Sequence, residues 1–396
     1  MPQSQGVSDF DWRTIGALNG VSALAQVGQF GIAFVVLPVW LAQQGLDATQ
    51  LGMFAASLWL GQLPGLGLAP WLCQRLGHRW VIVCGLFCTV MALLWIALAG
   101  WPFWLVGGTL AGFGLGLRWI GLEPWLYRIA PAEARGRLVG FHETLIALAP
   151  VVAPVLAGYF GLQGTAVFWI GGVFTLGALL PLALARVAAD EVASHPAHSA
   201  HVSPRKSLSE QIFKLGVVIA LVGGMIEAAV SGLFALFAQD RGISVNQTAD
   251  LLAVFGLGGL LMQYGVGWLA DHRGVGMAAL SCAVGTALAS VALALPLSYS
   301  LMMIAVFFLG GFITAFLTLA LIASTMTNSG NMASNVSMIS MLYTVSAVAG
   351  PLIAGATMKA THGDALMWLT ASAAVAMVCA LAWLLLSKMQ SATRTL

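Results

Sequence analysis

Long apolar runs alternate with short polar breaks along nearly the whole chain. A helix needs about 20 apolar residues to cross the hydrocarbon core of a bilayer. Judged by that length, the runs predict twelve spanning helices, at residues 14–41, 48–71, 79–99, 102–126, 138–160, 164–187, 212–238, 246–270, 275–296, 299–325, 333–358 and 365–388. The pattern therefore predicts an all-α polytopic membrane protein whose surroundings are the lipid bilayer.

Composition narrows the function classes. Of the 396 residues, 60% are hydrophobic and only 8% are charged, against about 25% charged in soluble proteins. A net charge of +2 without a basic, aromatic-rich patch excludes nucleic acid as a partner. The five cysteines lie in or beside apolar runs, with no histidine or acidic neighbour that would complete a metal site. We therefore expect neither a metal nor a cofactor.

One polar break is much longer than the others. Residues 188–211 carry prolines, serines and three histidines, a composition typical of a flexible linker. The chain is accordingly expected to divide into an N-terminal six-helix half (1–187), a cytoplasmic linker (188–211) and a C-terminal six-helix half (212–396).

Basic residues indicate the orientation of the chain. With both termini in the cytoplasm, only Arg241 and Lys359 face outward, and Arg118 lies within a span. The basic residues on the cytoplasmic side are then Arg13, Arg75, Arg79, Arg128, Arg135, Arg137, Arg186, Arg205, Lys206, Lys214, Arg273, Lys388 and Arg394. An excess of lysine and arginine marks the cytoplasmic side of membrane proteins.

The two halves repeat each other at an offset of about 197 residues. The matched residues are Trp71 and Trp268, Gly77 and Gly274, Gly112 and Gly310, Pro154 and Pro351, and Gly158 and Gly355. Several matches at one offset predict two pseudo-symmetric six-helix repeats. Parallel repeats of this kind place a binding site between the halves, near the middle of the membrane.

The loop after the second helix of each half resembles the signature G-x-x-x-D-[RK]-x-G-[RK]-[RK] of the major facilitator superfamily. The second-half copy, "GWLADHRG", keeps Gly267, Asp271 and Gly274, whereas Gln74 occupies the aspartate position of the first half. The stretch "WIGLEPWL…RGRLVG" is similar to a bacterial branch, the YcaD-type transporters. The resemblance implies a transporter of the bacterial inner membrane that works by alternating access, with Asp271 as a candidate gating residue.

In such an arrangement the first, fourth, seventh and tenth helices line the central cavity. Arg118 of the fourth helix and Glu227 of the seventh would then face each other across the path and bind substrate or protons. The alternatives are a structural ion pair and side chains that extend towards water. The polar residues Asn19, Gln26 and Gln29 share one face of the first helix, where they either bind a polar solute or hydrogen-bond to neighbouring helices.

Other residues have either a functional or a structural interpretation. Trp119 and Tyr343 either stack on a solute or pack between helices. Glu123 and Glu143 lie nearer the cytoplasmic surface, at the predicted level of Arg79 and Arg137, and are expected to join them and Asp271 in a gating salt-bridge network. His142, beside a surface loop, is either a proton relay or a passive residue.

The sequence therefore favours a monomeric secondary transporter that moves a small solute, coupled to protons and directed outward. The alternatives are an uptake permease or facilitator for a polar metabolite, and a membrane receptor of the same fold that transports nothing. No motif of an intramembrane enzyme such as H-E-x-x-H or G-x-S-x-G occurs, and no Walker motif indicates ATP as the energy source.

Overall fold

The computed structural model describes residues 11–131, 135–162, 164–186, 206–326 and 332–393. These residues contain twelve helices that are long and apolar enough to cross a membrane. The spans are α1 (Trp12–Gln43), α2 (Ala48–Leu76), α3 (His78–Leu98), α4 (Trp104–Ile129), α5 (Arg137–Phe160), α6 (Ala166–Leu184), α7 (Ile212–Asp240), α8 (Val245–Arg273), α9 (Val275–Ala294), α10 (Tyr299–Thr325), α11 (Asn335–Ala360) and α12 (Ala365–Leu386). The predicted number and order of the spans are confirmed.

Several helices extend beyond their membrane-spanning part. The helix that contains α7 begins at Lys206, and the helix that contains α12 ends at Thr393. Residues 206–211, which the sequence assigned to the linker, are therefore helical. Residues 187–205 lie outside the described part of the chain, so the position of the linker stays a prediction.

The repeat is visible in how corresponding helices begin and end. Asp47 caps α2 and exchanges hydrogen bonds with Gln50, while Ser244 caps α8 and exchanges them with Gln247, at the same offset of about 197 residues. Such reciprocal caps satisfy backbone groups that the first helical turn leaves free. Both helices end at a glycine with positive φ, Gly77 (+82°) and Gly274 (+86°), a conformation that residues with a side chain rarely adopt.

An even number of spans brings both chain ends to one face of the bundle, which we call the terminal face; the opposite face is the distal face. The two halves meet along two seams, α2 against α11 and α5 against α8. Near the distal face, Gly52 of α2 packs against α11. A β-carbon added to Gly52 would lie 3.3 Å from the Cα of Gly355 on α11. The equivalent contact brings Gly158 of α5 against Ala249 of α8, with 3.5 Å between an added β-carbon and that of the alanine. The two seams are therefore copies of one contact.

The first span is not a uniform α-helix. It is α-helical from Trp12 to Gln26, π-helical from Val27 to Val36, and α-helical again from Leu37 to Gln43. A π-helix pairs each amide with the carbonyl five residues earlier and commonly marks functional positions. In this chain the change of helix type falls between two predicted site residues, Gln26 and Gln29.

Candidate solute and proton sites

Arg118 lies inside the N-terminal half, with 1% of its surface exposed. Its Nε donates a hydrogen bond to Oε1 of Gln29 (2.8 Å), and its Nη2 donates a short one to Oε1 of Gln26. Gln29 in turn donates to the Thr89 hydroxyl (2.8 Å) and to the Gly85 carbonyl (3.2 Å) of α3. The guanidinium is therefore held between α1, α3 and α4 by neutral amides.

This placement corrects the expectation that Arg118 faces Glu227. Among the described residues no ion pair joins them, and each has its hydrogen-bond partners in its own half. The Arg118 side chain leaves α4 on the side that packs against α3. A β-carbon added to Gly85 of α3 would lie 3.2 Å from the β-carbon of Arg118. Membership of a cavity-lining helix does not fix which face of the helix a side chain occupies.

Glu227 forms the corresponding polar site in the C-terminal half. The hydroxyl of Tyr343 on α11 donates a short hydrogen bond to its Oε2, and only 2% of the tyrosine surface is exposed. Within the described residues no basic nitrogen comes within 4.0 Å of the Glu227 carboxylate. Tyr343 therefore donates a hydrogen bond to the carboxylate. The sequence predicted only that Tyr343 stacks on a solute or packs between helices.

Asn19 and His142 form a pair that the sequence did not predict. Nδ1 of His142 lies 3.0 Å from Oδ1 of Asn19, whose amide donates to the Ile15 carbonyl at 2.9 Å. Since the asparagine oxygen must accept here, Nδ1 of His142 carries the proton. The imidazole is fully buried, and its Nε2 has no partner among the described groups. The position beside a surface loop gave no sign of this burial.

Two glutamates lie nearer the terminal face than Arg118. Glu123 is partly buried on α4, five residues after Arg118. The carboxylate of Glu143 on α5 accepts a hydrogen bond of 3.3 Å from Tyr127. Trp119 is half-buried one residue after Arg118 on α4, and its predicted role in binding solute stays a prediction.

The predicted gating network is not assembled in this structure. In the described ranges no hydrogen bond or ion pair joins Arg79, Arg137 or Asp271 to Glu123 or Glu143. Arg137 and Asp271 are exposed at the terminal face. Their gating role therefore stays a prediction.

Ion pairs are instead present at the distal face. Nζ of Lys359 donates to Oδ2 of Asp47 at 2.8 Å and so joins α11 to the start of α2 across the two halves. Arg241 bonds to Asp364 at 2.7 Å and to the carbonyls of Ala294 and Leu295, all in the C-terminal half. Lys359 and Arg241 are the two basic residues that the orientation of the chain places on the outer side.

Comparison with known proteins gives the family. The fold defines a polytopic membrane protein of twelve helices, and the family model of the Major Facilitator Superfamily matches residues 20–329 and 216–395. The chain belongs to the major facilitator superfamily. Twelve apolar spans and bacterial relatives make it a multi-pass protein of the bacterial inner membrane.

Curated relatives support the predicted branch. The chain is 26% identical over 229 residues to the uncharacterized MFS-type transporter YcaD of Escherichia coli (strain UMN026), covering 57% of this chain and 58% of that one. It is 28% identical over 251 residues to an uncharacterized MFS-type transporter of Yersinia pestis (strain Pestoides F), covering 59% and 61%. The matches thus span about three fifths of the length of these relatives, and the similarity to YcaD-type transporters is confirmed.

Solved structures share the fold at low sequence identity. The nucleoside transporter NupG matches with a TM-score of 0.75 at 12% identity, over 94% of this chain and 99% of that one. A D-xylose-proton symporter matches with a TM-score of 0.71 at 14% identity, over 95% and 97%. These structures share the fold of two six-helix halves that the repeat of this chain predicted.

Proposed function

We propose that the protein couples the movement of a small solute to protons, and that Glu227 is the residue that binds the proton. The observation that carries this proposal is the isolation of the Glu227 carboxylate. It lies within α7 with a tyrosine hydroxyl as its hydrogen-bond partner, and no cation among the described residues neutralises it.

A charged side chain in the bilayer costs about 2.5–3.5 kcal/mol on insertion scales. A carboxyl group avoids that cost when it binds a proton. It can release the proton when water, or a solute that donates hydrogen bonds, reaches it. Glu227 thus holds a proton when its site is closed and releases the proton when water or solute reaches it, and this couples solute binding to proton binding. Tyr343 positions the carboxyl group in both states.

Alternating access in this proposal is a movement of the two halves against each other. The Asp47–Lys359 ion pair and the Gly52–Gly355 contact hold the distal face closed. The separation of the Arg118 and Glu227 networks supports the movement, because each half can move without breaking hydrogen bonds inside the other. A single chain contains both networks, which supports a monomer as the functional unit.

The basic residues support a cytoplasmic location for the terminal face and both chain ends. With the distal face closed, a central site is reached from the cytoplasm, a state through which transport in either direction passes, and outward transport stays a prediction. The solute is a small polar or amphipathic molecule. The NupG and xylose symporter relatives justify including nucleosides and pentoses in a panel with sugars, organic acids, amino acids and amphipathic drugs.

The experiment begins with a thermal-shift screen of that panel on the purified chain. The solute that stabilises the protein most is then loaded into proteoliposomes with an imposed pH gradient. We expect wild-type protein to accumulate the solute against its own gradient, and Glu227→Gln to carry out only exchange of solute without accumulation.

Asp250→Asn provides the matched control, since it neutralises an exposed carboxylate on α8 and should leave accumulation intact. Accumulation by Glu227→Gln equal to that of wild type would refute the coupling role. Binding of the solute without any flux in wild-type protein would favour a receptor instead.

A further inference from the structure

A cationic and aromatic patch lies at the terminal face of the N-terminal half, where α2 ends and α3 begins. We propose that this α2–α3 patch, formed by Trp71, Arg75, Arg79 and Trp80, binds the headgroup of an anionic phospholipid. The patch is separate from Glu227, so the inference depends neither on the solute nor on proton coupling.

The exposed face of α3 shows where the lipid lies. Its exposed residues recur every three or four positions and therefore form one stripe along the helix. They are Trp80, Cys84, Phe87, Met91, Leu94 and Leu98. An apolar stripe on the outside of a membrane-spanning helix faces hydrocarbon, and a tryptophan at the end of such a helix lies at the level of the headgroups. Trp80, which is 62% exposed, therefore marks the headgroup level beside the turn.

Arg75 is held in place by an aromatic ring. Its guanidinium carbon lies 4.5 Å from the ring centroid of Trp71, one helical turn earlier on α2, and both residues are exposed. Stacking on an indole holds the flat guanidinium by its face and leaves the N–H donors at its edge accessible. Within the described residues, no carboxylate lies within 4.0 Å of these donors. Arg75 is thus positioned to donate hydrogen bonds to a phosphate oxygen from outside the protein.

The charge around the turn is positive. Between Asp47 and Glu123 the sequence contains no acidic residue. Arg79, in the first turn of α3, adds a second cation, and in the part of the chain that the structure describes it has no carboxylate within 4.0 Å either. Interfacial arginine and lysine residues each strengthen binding to anionic lipid. A phosphate group that carries acyl chains therefore fits both the cations and the apolar stripe of α3.

The matching turn of the C-terminal half lacks this chemistry. At the offset of about 197 residues, His272 takes the place of Arg75 and stacks on Trp268, with 4.4 Å between ring centroids. Asp271 takes the place of Gln74 and brings a carboxylate to the turn. The aromatic support is therefore present in both halves, whereas the uncompensated positive charge occurs in one. We accordingly expect one site for an anionic headgroup in each chain.

Native mass spectrometry of the full chain tests the inference, because it counts bound lipids. The purified protein is titrated with phosphatidylglycerol and, separately, with phosphatidylcholine, whose headgroup has no net charge. We expect one phosphatidylglycerol to bind at concentrations at which phosphatidylcholine does not. Arg75→Gln with Arg79→Gln should weaken this binding by about 30-fold, the effect of two interfacial cations. Arg273→Gln is the matched control, since it removes an exposed cation from the other turn and should leave binding unchanged.

Three outcomes would overturn the proposal: wild-type binding in the double variant, an equal loss in Arg273→Gln, and equal binding of the two lipids. Gln74→Asp gives a second test that keeps both arginines. It introduces the carboxylate of the matching turn and should weaken binding of phosphatidylglycerol. Inorganic phosphate distinguishes a lipid surface from an ion site. Displacement of the bound lipid by phosphate at equal concentration would show that the acyl chains contribute nothing, and would refute a lipid site.

Discussion

Arg118 and Gln29 join the fourth helix to the first through a buried hydrogen bond of 2.8 Å. Because Gln29 also bonds to α3, three helices of the N-terminal half meet at this pair. The pair lies within one half, so it stabilises that half as a unit rather than the contact between the two.

Replacing Arg118 with leucine should destabilise the N-terminal half. The substitution leaves the carbonyl oxygens of Gln26 and Gln29 without a buried donor, which lowers the free energy of unfolding by about 1–3 kcal/mol. Arg128→Leu is the matched control, since Arg128 is exposed on the same helix and its loss should change stability by about 0.5 kcal/mol or less. Thermal denaturation of both variants in detergent measures the difference. Equal midpoints for the two variants would show that the glutamines find other donors.

Gly52→Ala should force the distal seam open. The added β-carbon would collide with the carbonyl oxygen of Pro351, a backbone atom that cannot turn aside. Spin labels at the exposed positions Gln44 and Thr361, in a cysteine-free background, should report a longer distance between the halves. Gly67→Ala on the same helix meets nothing within 4 Å and should leave the distance unchanged. A Gly52→Ala protein with the wild-type distance would show that the seam does not depend on close approach at this position.

Lys359→Gln should loosen the same seam to a smaller extent. Both partners of the Asp47–Lys359 pair are exposed, 40% and 58%, so the pair contributes about 1 kcal/mol at most. High salt should reproduce part of the effect in wild-type protein, because exposed charges are screened. Asp364→Asn, which breaks an ion pair inside one half, should leave that distance unchanged.

The Asp47–Lys359 pair also predicts how the seam responds to pH. The hydrogen bond from Lys359 lowers the pKa of Asp47 below its ordinary value. A lowered pKa means that the contribution to closure is complete above the ordinary aspartate range and is lost as pH falls through the lowered value. The distance between spin labels at Gln44 and Thr361 should therefore increase only at acidic pH, and Asp47→Asn should make it independent of pH in that range. A rise on the alkaline side would contradict the assigned sign.

Tyr343→Phe should weaken the coupling site without removing its carboxylate. The loss of a hydrogen bond to a charged group corresponds to about 1.5–3 kcal/mol. The hydrogen bond from Tyr343 favours the ionised form of Glu227. In infrared difference spectra recorded at stepped pH, the band of the protonated Glu227 carboxyl group should therefore persist to higher pH in the variant. Tyr299→Phe, which removes a bond of 3.4 Å to the Gln247 carbonyl, is the control for loss of a hydroxyl in the same half. An unchanged band in Tyr343→Phe would make the tyrosine a packing residue.

The number and order of the helices could be predicted because length and hydropathy suffice for that purpose. The repeat was equally accessible, and the matching caps at Asp47 and Ser244 confirm its offset. The beginning of the helix at Lys206 was not accessible, because a polar helix that leaves the membrane has the composition of a linker.

The partners of the buried charges could be predicted only in part. Gln26 and Gln29 were recognised as one polar face and Arg118 as a charge within a span, yet nothing in the sequence indicates the rotation of α4 about its axis. Contact between residues on non-adjacent helices depends on that rotation. The burial of His142 was missed for the same reason, because distance along the chain from a loop does not measure depth in the bundle.

The two seams differ at one matched position. Gly158 meets an alanine where Gly355 meets a glycine, although the contacts are otherwise copies of each other. The alanine also makes the two seams unequal, so the α2–α11 side allows the closer approach. The two halves therefore have a preferred direction of movement against each other. Two identical seams would not give them one.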